Sequence, residues 1–322
     1  QRLELSPTDA RWVAFRLADT SWRSQASTDT HDSTVFDNAA RELESLIRSV
    51  ERVEDRDIVW AEASESLGDF FWTRRDQQDW GRAWPHYSNA LEYWAGSDQL
   101  DLARTRYLDM VWIMADPPWT REHQWLYYQN NIPMNVLDNA ATIAVTPEDQ
   151  SHAHYLIAMA LRGQGDWASR LRIPREFEAA ITAGKSAFWY DDALFAYGEW
   201  LASQGPAVMQ DNGQWRAEPD YNGALAMFQR LLREFTKGET RYYDNARNQI
   251  ENITNPQLAV GVSNIFLPGS EIQYHLSWRN IKRIDLSLFK VDLSRDLAFA
   301  AREKDAMNDW INRTRITSSP WP

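Results

Sequence analysis

A chain of 322 residues with 43% hydrophobic and 25% charged side chains can build one large domain or two, each with a real core. A formal charge of -12, relieved by no basic run, excludes a nucleic-acid backbone or an anionic membrane as the main partner, since either would repel it. With no apolar run of about 18 residues there is no membrane-spanning helix, and with no cysteine there is no disulfide, thiolate metal site or cysteine nucleophile.

The opening Gln1-Arg2-Leu3-Glu4 has neither an initiator methionine nor a signal-peptide pattern and reads as a processed or trimmed end. A secreted protein that has lost its signal would look like this, and so would a cloned fragment. Residues 8–19 are expected to form a short amphipathic helix with Trp12, Phe15 and Val13 inward. Residues 20–33, rich in Ser, Thr and Asp, read as a loop. Phe36, Ala39-Ala40, Leu43, Ile47 and Val50 recur at helical spacing, with Asp32 or Ser33 as the cap.

A helical hairpin is expected from Asp57 onward. Ala61, Ser64, Leu67-Gly68 and Phe71 mark its first helix, and Ala83, Tyr87, Ala90-Leu91 and Trp94 its second. Pro85 suits a first-turn position, so the regular part of that second helix should begin near it. Gly96-Ser97-Asp98 breaks the chain, and a helix resumes through Leu102 and residues 108–113 until Pro117-Pro118-Trp119 stops it. Residues 121–145 give one or two helices interrupted at Pro133. Residues 152–161 are helical up to Gly163-Gln164-Gly165, and residues 177–181 continue the series.

Residues 189–253 carry two hairpin signatures in tandem. One helix reads Asp192-Ala193-Leu194, Tyr197-Gly198 and Leu201. Its partner reads Tyr221, Ala224-Leu225, Phe228, Leu231-Leu232 and Phe235. A third runs from Tyr243-Asp244-Asn245-Ala246 through Ile250 and Ile253. Small residues at fixed places let two helices approach while large ones fill the gaps. Leu67-Gly68, Phe71, Ala83, Tyr87 and Ala90 resemble the tetratricopeptide pattern, and so do Tyr197-Gly198, Ala224 and Phe228 around an insertion at residues 204–219. An unrelated solenoid built on the same packing rules would have the same architecture. Either implies a binding surface more often than an active site.

The period changes after Asn255-Pro256. Leu258, Val260 and Val262 alternate, as do Ile272, Tyr274, Leu276 and Trp278, then Leu286 and Leu288 with Val291. Leu267-Pro268-Gly269-Ser270 and Arg279-Asn280 supply the turns of three antiparallel strands, half-buried on one face. Phe266, Pro268-Gly269-Ser270, Trp278-Arg279-Asn280 and Phe289-Lys290-Val291-Asp292-Leu293 resemble the opening strands of a macroglobulin-type β-sandwich in bacterial alpha-2-macroglobulin-like proteins. Large members of that family trap proteases, and some carry a thioester cysteine. Without cysteine, that chemistry cannot belong to this chain, and the bait region would lie beyond residue 322. Residues 296–313 look helical again, through Trp310-Ile311.

The expected fold is therefore mainly α: a helical-hairpin solenoid over residues 1–255, then a short β-segment with a C-terminal helix over residues 256–322. Three strands cannot close a sandwich, so the chain is expected to be a piece of a longer protein rather than a subunit whose strands pair with a neighbour.

No catalytic, cofactor-binding or metal-binding residue is assigned. His152 and His154 lie two apart, on different faces of a helix, which suits shared metal ligation poorly. His31, His86, His123 and His275 sit in no motif, and Gly163-x-Gly165 reads as a helix stop. Asp191-Asp192 reads as negative charge at a helix N-terminus, with a glycosidase carboxylate as the sharper option. Asn252-Ile253-Thr254 and Asn312-Arg313-Thr314 match the glycosylation pattern. The 17 tryptophans are either fillers between helices or an exposed row that grips sugars or peptides.

The resulting reading is a non-catalytic interaction or scaffold region of an extracytoplasmic bacterial protein, binding a protein or another part of a longer chain. Its alternatives are a glycan-binding surface protein, a helical-barrel glycosidase and a structural assembly subunit.

Overall fold

The computed structural model describes residues 5–26, 33–74, 78–116, 132–261 and 273–286. The chain divides into two compact units, Gln1–Ile250 and Glu251–Pro322. The described residues are mainly helical, with a few short antiparallel strands.

The helices are α1 (Pro7–Ala26), α2 (Ser33–Arg48), α3 (Ile58–Trp72), α4 (Trp80–Ala95), α5 (Leu100–Ala115), α6 (Met134–Ile143), α7 (Pro147–Gln164), α8 (Trp167–Thr182), α9 (Tyr190–Ser203), α10 (Tyr221–Glu234) and α11 (Tyr243–Thr254). They pack as hairpins: α1 on α2, α3 on α4, α5 on α6, α7 on α8 and α9 on α10. The first helices of successive hairpins also touch, α1 against α3, α3 against α5 and α7 against α9. That is the neighbour-to-neighbour stacking of a helical solenoid. None of these helices is long and apolar enough to cross a membrane.

Capping side chains open the helices, at Asp57 where a start was expected and at Thr146, ahead of the expected helix at residues 152–161. The Asp57 carboxylate accepts the Trp60 amide at 2.9 Å, and Thr146 accepts that of Asp149 at 3.0 Å ahead of Pro147. Gly165, at φ +74°, closes α7 in the left-handed conformation that glycine adopts without strain. Two other glycines serve closeness. A Cβ on Gly68 would lie 2.8 Å from the Tyr87 ring, and one on Gly198 would lie 2.6 Å from the Phe228 ring. The α3–α4 and α9–α10 hairpins are thus each sealed by an aromatic ring pressed on bare backbone.

Several expectations need correction. α1 runs on to Ala26 through the polar stretch read as a loop, because Trp22 is buried against α3 and donates to Ser66 Oγ at 3.0 Å. Its inward residues are Phe15, Ala18 and Trp22, while Val13 is exposed and Trp12 half-buried. Ser33 lies within α2, where Leu46 rather than Ile47 is buried, and Asp32 lies outside the described residues. α4 begins at Trp80, since Asp79 caps the Arg82 amide at 3.0 Å, and Pro85 lies inside it on the exposed side. That proline forgoes one helical hydrogen bond, which the early start outweighs.

The insertion at residues 204–219 contains a hairpin of β1 (Ala207–Met209) and β2 (Trp215–Ala217), absent from the sequence reading. In the second unit, β3 (Gln257–Gly261) pairs antiparallel with β4 (His275–Arg279), Leu258 opposite Trp278 and Val260 opposite Leu276. These strands are largely exposed on both faces instead of half-buried on one. Arg279 donates to the Asn252 carbonyl, and Asn280, at φ +57°, to that of Ile253 at 2.6 Å. Leu286 lies in no strand. Leu288, Val291, the turn at residues 267–270 and the expected helix at residues 296–313 lie outside the described residues.

Gly68→Ala and Gly198→Ala should each lower unfolding free energy by about 1–3 kcal/mol, the cost of overpacking. Gly163→Ala, in open space within α7, should be neutral or stabilising by up to about 1 kcal/mol. Urea denaturation of the three variants checks this, and equal midpoints would contradict the close-approach role.

Candidate functional site: a charged groove on α1, α3 and α5

α3 is buried along almost its whole length, from Val59 to Trp72, because α1, α2, α4 and α5 all pack against it. Its face toward α1 and α5 is nevertheless acidic. Glu62, Glu65 and Asp69 follow one another at spacings of three and four, which aligns them along one side of a helix. All three are buried.

Arginines from the flanking helices meet them. From α5, Arg106 donates to Glu62 Oε1 at 2.6 Å and to Glu65 Oε1 at 3.2 Å. From α1, Arg16 lies 3.4 Å from Glu62 Oε2, and Arg23 bridges Asp19 at 2.6 Å and Asp69 at 2.7 Å. The Tyr87 hydroxyl of α4 donates to Asp69 Oδ1 at 2.7 Å. Ser66 passes the network on, accepting from Trp22 and donating to Asp19 at 2.7 Å.

These side chains line a cavity of about 370 Å³, completed by Phe15, Asp109, Trp112 and Ile113. A volume at the low end of the range for ligand pockets, roughly 300–1,000 Å³, accommodates one or two side chains of a partner. Trp112 is anchored behind the wall. Its ring stacks on His152 at 4.1 Å, and His152 stacks in turn on Trp189 at 4.1 Å.

Burial dominates the electrostatics. It pushes the Glu65 carboxyl up to about 8, with the neighbouring Asp69 and Glu62 charges adding to the rise and Arg106 and Arg23 opposing it. Burial also raises Asp69, against the pull of Arg23 and the Tyr87 hydroxyl. Glu65 Oε2 is buried with no hydrogen-bond partner among the described residues. The groove therefore holds a carboxyl that can be neutral or charged near neutral pH, with one acceptor unused.

The residues singled out in the sequence fall elsewhere. His152 belongs to the Trp112–Trp189 stack, whereas His154 Nδ1 lies 2.7 Å from Glu176, which also accepts from Arg172 at 2.8 Å. Burial raises Glu176, but His154 and Arg172 outweigh it and hold the carboxyl below its ordinary value. No cluster of His, Asp and Glu among the described residues is arranged to hold a metal ion.

Asp191 and Asp192 do more than complement a helix dipole. Asp191 accepts from Thr240 Oγ1 at 2.6 Å, and the buried Asp192 accepts from Arg241 and, at 2.7 Å, from the Tyr242 hydroxyl. The pair ties the start of α9 to the turn before α11.

Of the tryptophans, Trp22, Trp60, Trp72, Trp94, Trp189 and Trp200 are buried, while Trp167, Trp215 and Trp278 are exposed on α8, β2 and β4. The carboxylate row on α3 was not singled out from sequence. Its signal was available: acidic residues at helical spacing inside an otherwise apolar helix. Set against protein-family models, curated proteins and solved structures, the chain shows no match.

Glu65 keeps its proton up to about pH 8 in the fold but loses it near 4.5 in the unfolded chain. Between those values the folded state holds the extra proton, so this group's stabilising contribution is complete at low pH and is lost as pH rises. Relative to Glu65→Gln, the unsubstituted protein should lose urea stability from about pH 5 to about pH 8. A difference that stays flat across that range would show Glu65 ionised throughout.

Proposed function

We propose that the helical unit is a non-catalytic protein-interaction module whose partner segment lies in the α1–α3–α5 groove. The observation that carries this reading is the groove's makeup: buried carboxylates held by arginines from both flanking helices, beside an aromatic wall, on first helices of successive hairpins. Fixed charges with an apolar wall recognise a peptide by both its polar and its apolar side chains. A glycan surface finds less support, because the exposed Trp167, Trp215 and Trp278 belong to three separate elements and form no row along any one of them.

The wider setting we propose is an extracytoplasmic protein of the bacterial alpha-2-macroglobulin-like kind, in which the partner is another protein or another part of the same longer chain. Two things support it: the Trp278-Arg279-Asn280 resemblance, and the antiparallel pairing of β3 with β4 directly after the helices. These are strands that the opening of such a sandwich would use.

Peptides selected from a random display library against the whole chain test the module. Arg16→Glu and Asp109→Lys change exposed groups at the groove and should weaken the selected peptides at least about tenfold, the effect of roughly 1.4 kcal/mol. Charge reversal on the exposed α8 residue Arg175, if it weakened them equally, would remove the groove from the reading. Hydrolysis of a polysaccharide panel that disappears in Glu65→Gln would replace the module with an enzyme.

A further inference from the structure

Resting on the reading of the groove as a protein-binding surface, we infer that it takes a single lysine side chain of the partner, whose ammonium bonds the unused Glu65 oxygen. Every other buried carboxylate of the groove has both oxygens engaged. Glu62 is met by Arg106 and Arg16, and Asp69 by Tyr87 and Arg23. Glu65 is 7% exposed, and only its Oε1 is engaged, by Arg106 at 3.2 Å. Its Oε2 has no partner among the described residues and is closed to water in the unliganded structure, but it belongs to a side chain that lines the cavity, so a turn of the carboxyl about its last bond presents it to a ligand. A buried acceptor left without a donor is costly, and a donor brought by a ligand removes that cost.

The charge balance selects a cation. Five carboxyl groups line the cavity against three guanidiniums, so an incoming acid meets excess negative charge and an incoming base relieves it. The geometry then selects lysine over arginine. A guanidinium binds a carboxylate best through two parallel bonds, which need both oxygens, and Arg106 already occupies one. An ammonium is a point donor and needs only Oε2. Its remaining protons face Asp109, and its apolar stem lies along Phe15, Trp112 and Ile113.

Binding is coupled to a proton. The charged groups that line the cavity with Glu65 are Arg16, Asp19 and Arg23 from α1, Arg106 and Asp109 from α5, and Glu62 and Asp69 on α3 itself, of which Asp69, Arg106, Glu62 and Arg23 act on its carboxyl most strongly. α4 adds the Tyr87 hydroxyl, and α2 presents an apolar side, with Phe36 against Phe70. Without a ligand, burial keeps the Glu65 proton in place to about pH 8. When the ammonium enters, the carboxyl gives its proton to water and the charged pair forms, the lysine keeping its own protons. Affinity therefore rises with pH up to about 8, by at most about tenfold per unit for one proton released.

The test uses the whole chain and N-acetyl-lysine amide as probe, followed by the indole NH signals of Trp22 and Trp112, with the norleucine and arginine amides beside it. The expected result is saturable shifts with lysine that tighten at least about tenfold between pH 6 and pH 8. Arginine should bind more weakly and norleucine not at all. Glu65→Gln should bind at least about tenfold more weakly at pH 8 with no pH dependence. Asp109→Asn, changed at an exposed position, keeps the fold and should weaken binding several-fold. Glu65→Gln binding lysine as tightly as the unsubstituted chain, or norleucine shifting the same signals equally, overturns the proposal. If selected peptides still bind the groove while lysine amide gives no shift at any pH, the lysine inference falls and the interaction module stands. If the peptides fail as well, that reading falls with it.

Discussion

The structure turns on α3, a helix enclosed by four others that still carries three carboxyl groups on one side. Apolar burial alone would drive α1, α2, α4 and α5 against it, because Leu67, Phe70, Phe71 and Trp72 present large surfaces. The carboxyls add a condition. A buried charge is tolerated only with a partner, so α1 and α5 must approach at the register that brings Arg23 to Asp69 and Arg106 to Glu62 and Glu65. Close packing says which helices meet. The ion pairs say where along their length they meet.

The later hairpins also bury carboxylates and give each two partners, at both oxygens of Glu176 and at Oδ1 of Asp192. Asp192, buried in α9, is met by both Arg241 and Tyr242, and Glu176 of α8 by both His154 and Arg172. Each of these carboxylates adds to other polar ties between the same elements, such as Thr240 Oγ1 to Asp191 and Ser151 Oγ to the Ala180 carbonyl. Glu65 departs from the pattern. One of its oxygens is used, the other is buried and unpaired among the described residues, and its proton is held to near-neutral pH. Other buried polar atoms share this state, Trp94 Nε1 and Trp200 Nε1 among them, and what sets Glu65 apart is that its side chain lines the cavity.

Much of the fold was legible in the sequence because small–large pairing across a helical hairpin leaves a local pattern. Gly68 with Tyr87, and Gly198 with Phe228, are contacts that the spacing of those residues announces. What the sequence concealed depends on distant neighbours. Residues 20–26 look like a polar loop until Trp22 finds Ser66 on α3, forty-four positions away. Pro85 looks like a helix start until Asp79 caps an earlier one. The β1–β2 hairpin is short and mostly exposed, so it leaves little alternation to read. The groove was hidden for the same reason. Its acidic row is local to α3, but the arginines that make it a site arrive from α1 and α5, forty or more residues away on either side.

That separation bears on why the groove is built as it is. Replacing a buried ion-pair network with well-packed apolar residues is often neutral or stabilising, so the network is not required for these helices to stack. Where α7 meets α9, apolar contacts such as Tyr155 on Trp189, the residue before α9, sit beside Arg162, which donates to the Ala196 carbonyl. Along α3 the same position in the hairpin is given to Glu62, Glu65 and Asp69, at a desolvation cost that raises two of the three carboxyls. In this part of the chain the cost falls where α1, α3 and α5 leave a cavity, while α4 seals the back with Tyr87, Ala90 and Trp94. On the proposed reading of the groove, a charge cluster so placed serves a partner in the cavity as well as the register of the helices.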